Sequence, residues 1–297
     1  MILTRILLLI NPHSGTHQRD ELIEAANDWK ENTSLCDIEI VEVATIEDST
    51  VAVKKAIEEK YYAVVVMGGD GTVNTIGSML CGSDTALGIV PTGSGNGIAR
   101  HIGMSMSIKK ALEQIIMSHI HMVDTMKING HFCMGVAGTG FEAVVADSFA
   151  QRQKRGLMTY SAAAITEFMK YHSVPLDIDI DGKVISRTPF TLSFANSSQW
   201  GNDFKIAPRA GMTTGTIKVV ILSDIDQITV MPCVAALLSG NIQTMPQCET
   251  LDATHIHIEK KGMMYHIDGE YMGECDSLDV QVIPSSLRIL SPLKKLK

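Results

Sequence analysis

Residues 63–74 read Ala63-Val64-Val65-Val66-Met67-Gly68-Gly69-Asp70-Gly71-Thr72-Val73-Asn74, an apolar run leading into three glycines around one carboxylate. A short, continuous apolar run bounded by glycine fits a strand buried on both faces, as in parallel sheets. In open parallel sheets ligands bind beyond the carboxyl ends of the strands. A loop almost without side chains at that edge therefore points to close approach of a ligand to the backbone, with Asp70 as the only charge nearby.

The surroundings support a parallel sheet. Residues 6–10, 38–43, 62–67 and 86–90 read as strands; residues 20–29, 51–59, a short stretch after Thr72, and 108–117 read as helices. Strands alternating with helices indicate βαβ units. After about residue 123 the pattern changes to runs joined by two-residue turn signals, Asn129-Gly130 and Asp181-Gly182. Further β runs fall at 190–195, 216–222, 255–259, 264–267 and 278–283, with helical stretches near 160–170 and 228–238. The expected fold is α/β plus β: an open parallel-sheet domain over 1–122, then an antiparallel β-sandwich domain over 123–297, whose last few residues are free to return to the first domain.

A length of 297 residues suits two domains, and 45% hydrophobic content suits two real cores. The net charge of −8 excludes bulk attraction to nucleic acid, so no nucleic-acid partner is expected, and membrane contact has to come from a local patch. The six cysteines show no C-x-x-C spacing, which suits reduced thiols and a cytoplasmic protein. The apolar N-terminal run is cut by Asn11-Pro12 and reads as a first strand, not a signal peptide. No stretch reaches the roughly 18 apolar residues of a membrane span.

Two further glycine loops follow strands: Pro91-Thr92-Gly93-Ser94-Gly95-Asn96-Gly97 and Asn11-Pro12-His13-Ser14-Gly15. Glycines there let backbone N–H groups approach phosphate oxygens. The first loop by itself fits a plain strand-to-helix turn equally well, and Asp70 has two readings, a helix cap or a Mg²⁺ carboxylate beside nucleotide phosphates. The P-loop signature G-x-x-x-x-G-K-[ST] is absent.

In order and spacing, "GGDGTVN", "PTGSGNGIAR", "NPHSG" and the downstream "HIDGE" resemble the diacylglycerol kinase catalytic-domain superfamily, which also holds sphingosine and ceramide kinases. Asp124 ahead of Asn129-Gly130, "AGTGFEA" at 137–143, Arg155-Gly156 and "NSSQWGNDFKIAPRAGMTTG" at 196–215 extend the resemblance over nearly the whole chain. The resemblance implies a nucleotide-binding first domain, a β-sandwich second domain and an active site in the cleft between them. It further implies that Gly68, Gly69, Gly71, Thr92, Gly93, Ser94, Gly95 and Asn96 cradle ATP, with Asn11 and Thr72 near the nucleotide. Asp70 and Asp124 would organise a Mg²⁺–water network, Asp70 as the metal carboxylate, and Glu270 would be the general base. From the residues alone, Asp268-Gly269-Glu270 is also an ordinary hairpin turn. Two departures stand out: Asn96-Gly97 where many bacterial diacylglycerol kinases have Asn-Asp, and Thr214 where an aspartate usually precedes the glycine.

The implied activity is an ATP-dependent lipid kinase acting on diacylglycerol or a similar neutral lipid alcohol, the protein being peripherally and transiently membrane-associated. The alternatives are a sphingoid long-chain-base kinase, a soluble NAD kinase-like enzyme and an inactive lipid-binding protein. Glu142 stands where bacterial diacylglycerol kinases have a comparable acid. Val144 stands where sphingosine kinases have an aspartate for the sphingoid head group. The basic run Arg152, Lys154, Arg155 is a candidate membrane contact, although such runs are more often solvated. A homodimer is compatible with the chain.

Overall fold

The computed structural model describes residues 4–12, 18–151 and 164–296. The chain divides into two compact units, Met1–Val123 with Ser285–Leu296, and Asp124–Pro284.

The first unit alternates β1 (Thr4–Ile10), α1 (Arg19–Asn32), β2 (Cys36–Glu42), α2 (Ile46–Glu58), β3 (Ala63–Gly68), α3 (Asp70–Leu80), β4 (Ala86–Pro91), α4 (Gly97–His101) and α5 (Ile108–Met117). The strands run parallel in the order β2-β1-β3-β4. Every residue of β3 and β4 is buried, as the uninterrupted apolar runs require. Gly68 pairs with Pro91, so the two glycine loops leave neighbouring strands at the same level. Helix α2 starts earlier than its apolar pattern suggests because Thr45 and Asp48 form a reciprocal capping box.

Helix α3 also starts early. Val73 N–H donates to Gly69 O at 3.0 Å, which closes the first turn with Gly69 as cap and Asp70 as the first helical residue. Gly71 and Thr72 therefore lie in the helix and not in a loop before it. An acid in the first turn complements the unpaired amides there.

The second unit is antiparallel. Its strands are β5 (His119–Ile128, which begins in the first unit), β6 (His131–Cys133), β7 (Val136–Gly140), β8 (Leu176–Ile180), β9 (Lys183–Arg187), β10 (Thr191–Ala195), β11 (Ile217–Leu222), β12 (Cys248–Ala253), β13 (His255–Ile267) and β14 (Glu270–Ser291). Helices α6 (Phe141–Ala150) and α7 (Val230–Ser239) interrupt them. The order is β12-β11-β10-β7-β13-β14, with the β8–β9 hairpin on β13 and the β5–β6 hairpin on β14. Alternation divides the side chains between two cores. Ile217, Val219 and Ile221 join Leu192, Phe194 and Ile256, while Val220 and Leu222 join Ala195, Cys233 and Leu237.

Three hairpins turn on two left-handed residues each: Asn129-Gly130, Asp181-Gly182 and Asp268-Gly269, with φ of 49° and 84°, 50° and 84°, and 48° and 84°. The two runs read separately at 255–259 and 264–267 are one strand with an irregular register. Strand β14 runs past Pro284 and Ser285 into the first unit, where Ile289 pairs in parallel with Leu87.

Candidate functional site

In the first unit the two glycine loops hold each other. Asp70 Oδ2 accepts the Asn96 N–H at 2.7 Å, and Thr92 N–H donates to Gly68 O at 3.1 Å. Asn96, left-handed at φ 54°, folds its side chain back on its own loop: its Oδ1 accepts from Gly93 N–H at 3.0 Å and its Nδ2 donates to Gly93 O at 2.7 Å. A Cβ on Gly93 would lie 2.5 Å from Gly69 Cα, so no other residue allows this approach. The amides of Thr92, Gly93 and Asn96 are thus engaged within the loops and set their shape. Arg100, which sequence reasoning did not single out, braces the same loop through Nε to Gly95 O at 3.2 Å.

Asn11 joins the same crevice, with Nδ2 donating to Thr72 Oγ1 at 3.1 Å. Residues 13–17 of the third loop lie outside the described residues. The Thr92 hydroxyl is 1% exposed and has no hydrogen-bond partner among the described residues. Asp70 offers hard oxygen, and a carboxylate has about four lone-pair positions, so the bond from Asn96 does not exhaust it. Among the described residues no three His, Cys, Asp or Glu side chains converge as a closed metal cage. Mg²⁺ does not need one, since it is commonly held by one or two carboxylates plus phosphate oxygens and water.

The other candidate residues belong to the second unit. Asp124, 2% exposed, accepts the Gly215 N–H on Oδ2 at 2.7 Å, its own N–H donates to Met212 O at 2.6 Å, and its carbonyl accepts from Asn196 Nδ2 at 2.7 Å. In the 211–216 turn Thr214 stands directly before Gly215. The Thr214 hydroxyl reaches Gly211 O at 3.0 Å and Thr216 O at 2.9 Å.

Glu270 is exposed at the start of β14, directly after the Asp268-Gly269 turn. Asp268 anchors that turn: Oδ1 accepts from Gly135 N–H at 3.0 Å and Val136 N–H at 2.9 Å, and Oδ2 from Met134 N–H at 3.3 Å. Burial raises the Asp268 carboxyl above the ordinary range, against the lowering pull of those amides. Glu142 is only 5% exposed, at the start of α6, with Ser193 and His266 against its carboxylate. Arg152, Lys154 and Arg155 lie outside the described residues.

Residues 5–128 match the family model described as diacylglycerol kinase catalytic domain. Residues 135–291, more than half of the chain, match the one described as YegS C-terminal NAD kinase beta sandwich-like domain. The chain belongs to the diacylglycerol kinase catalytic-domain family. It is a kinase of that lipid-kinase family, and its α/β plus β-sandwich fold is the one its motifs led us to expect. A diacylglycerol kinase of Mycobacterium tuberculosis is 26% identical over 298 residues, covering 97% of this chain and 95% of the relative. A diacylglycerol kinase of Bacillus subtilis is 23% identical over 232 residues, covering 76% and 77%. A crystal structure of a diacylglycerol kinase from Bacillus anthracis superposes with a TM-score of 0.71 at 17% identity over 97% of each chain, which shows a shared fold. No helix among the described residues is long and apolar enough to cross a membrane.

Proposed function

We propose that the chain transfers the γ-phosphoryl group of ATP to the hydroxyl of a neutral membrane lipid, with diacylglycerol as the first candidate. The observation that carries this reading is the pair of glycine loops at the carboxyl ends of β3 and β4, joined by Asp70 to Asn96. They form a crevice free of bulky side chains beside a carboxylate, suited to ATP phosphates with Mg²⁺. The orphaned Thr92 hydroxyl fits a site that gains polar partners when a nucleotide binds. Asn11, Thr72 and the loop from Thr92 to Asn96 line it, and Asp70 supplies the metal carboxylate. The resemblance, not a distance, assigns Asp124 to the same water network. Mg²⁺, when bound, offsets negative charge on the transferring phosphoryl oxygens. Glu270 takes the hydroxyl proton of the acceptor.

Glu142 favours a neutral acceptor. A sphingoid base carries an ammonium that calls for an accessible carboxylate. Glu142 is buried against Ser193 and His266, and Val144 offers no substitute. One reaction tests the choice: γ-labelled ATP, Mg²⁺, and micelles containing diacylglycerol and sphinganine at equal mole fraction. Label is expected chiefly on phosphatidate; a clear excess on sphinganine would move the assignment to a long-chain-base kinase.

Access to a bilayer lipid needs a docking surface. Phe141, Phe168, Tyr171 and Phe190 pack ring to ring at 4.6–6.1 Å between centroids. Three of them, with Met169 and Gln227, line a cavity of about 380 Å³. Met169 of its lining is 66% exposed, and Ile228 and Met231, one and four residues after Gln227 in the sequence, are 83% and 69% exposed. Replacing these three by glutamine is expected to raise the apparent KM for vesicle-borne lipid roughly tenfold, given the apolar area each would bury. Turnover on detergent-dispersed short-chain lipid should survive. Unchanged vesicle sedimentation and KM would remove this surface from the account.

A further inference from the structure

The geometry points to a positioning residue for phosphoryl transfer: His266 fixes the turn that presents Glu270, with Glu142 packed against the imidazole from behind. This deepens the proposed function and rests on its assignment of Glu270 as general base.

The arrangement follows from register. Ser193 on β10 pairs with Gly138 on β7, and Gly138 pairs with His266 on β13, so the three form a row across adjacent strands. The central position is glycine, and a Cβ there would lie 1.8 Å from Glu142 Oε1. The missing side chain is therefore the space into which α6 lowers its carboxylate. Ser193 Oγ donates to Glu142 Oε1 at 2.9 Å, and His266 Nε2 lies 3.2 Å from Glu142 Oε2. All three residues are at most 5% exposed.

On its other side the imidazole faces the catalytic turn. Gly269 N–H donates to His266 Nδ1 at 3.3 Å. Nδ1 accepts there, and Nε2 lies 3.2 Å from Glu142 Oε2 as a close polar contact whose geometry is not that of a hydrogen bond. The Tyr171 phenol also feels that carboxylate: burial, and then the Glu142 charge, push it up to about 12. The contacts run Ser193, Glu142, His266, Gly269, and the next residue is Glu270. Asp268 ties the start of the turn to the 134–136 amides, and His266 orients the amide one residue before the base. A base acts only within hydrogen-bond reach of its proton, and a misplacement of about 1 Å costs on the order of 10²-fold.

The two ring nitrogens have separable duties. In His266→Asn the amide oxygen stands near the Nδ1 position and keeps an acceptor for Gly269. His266→Gln reaches toward the Nε2 position, offers a donor on the Glu142 side and leaves Gly269 without its acceptor. His266→Phe keeps the volume and supplies neither.

We expect kcat on micellar diacylglycerol to fall on the order of tenfold or more in His266→Phe with KM for ATP unchanged, and to recover substantially in His266→Asn but not in His266→Gln. Glu270→Gln is the control on the underlying reading. If Glu270→Gln retains full turnover, the general-base assignment fails. If Glu270→Gln is inactive while folded His266→Phe keeps wild-type kcat, the positioning role is wrong and the base assignment stands. Should His266→Phe not fold, the Asn and Gln variants decide: equal kcat, or Gln above Asn, overturns the proposal.

Discussion

Asp70→Asn is expected to fold like the parent and to transfer phosphoryl groups on the order of 10²-fold or more slowly, since it removes the carboxylate proposed to hold Mg²⁺ at a site that works by stabilising charge. The substitution separates two duties of one side chain. The asparagine oxygen can still accept the Asn96 N–H that Asp70 holds at 2.7 Å, so the two glycine loops stay joined. What is lost is a formal charge and a hard ligand. Losing an acid from the first turn of α3 costs about 0.3–1 kcal/mol. Thermal unfolding and steady-state turnover on the same preparation check both halves. Near wild-type turnover would refute the Mg²⁺ role, and a large drop in unfolding temperature would show that the charge is needed to hold the crevice.

Glu270→Gln is the second large effect, with turnover down on the order of 10²–10⁴-fold. The carboxylate is exposed and the turn beneath it is held by Asp268 and His266, so neither folding nor ATP affinity depends on it. Stability is expected to stay within about 0.5 kcal/mol, as for exposed substitutions away from such anchors. Equilibrium binding of an ATP analogue beside kcat makes the distinction. Parallel loss of both would turn Glu270 into a nucleotide-binding or structural residue.

The parallel sheet was legible because β3 and β4 are buried on both faces and so carry unbroken apolar runs that end in glycine. The hairpins were legible because Asn-Gly and Asp-Gly supply the left-handed pair that a two-residue turn requires. The start of α3 was not, since three glycines in seven residues conceal a helix whose first turn is held by Gly69 O. The second function of each turn residue was hidden as well: Asn129 and Asp181 also grip neighbouring strands, as Asp268 grips 134–136. The row of Ser193, Gly138 and His266 could not be read from the sequence. Its members lie far apart along the chain and meet only through strand register, so Glu142 showed as an acid in a motif and not as a carboxylate enclosed by two partners. Only the residue types gave a sign, a histidine and an acid in otherwise apolar surroundings.

The central claim is phosphoryl transfer from ATP to a lipid hydroxyl. It is tested most directly by supplying wild-type protein with γ-labelled ATP, Mg²⁺, diacylglycerol micelles and NAD in one vessel, then separating organic from aqueous products. The NAD belongs there because residues 135–291 match a domain described as NAD kinase beta sandwich-like. The account predicts label in the organic phase as phosphatidate, with none on NAD. Label on the dinucleotide, or only as inorganic phosphate, would contradict it.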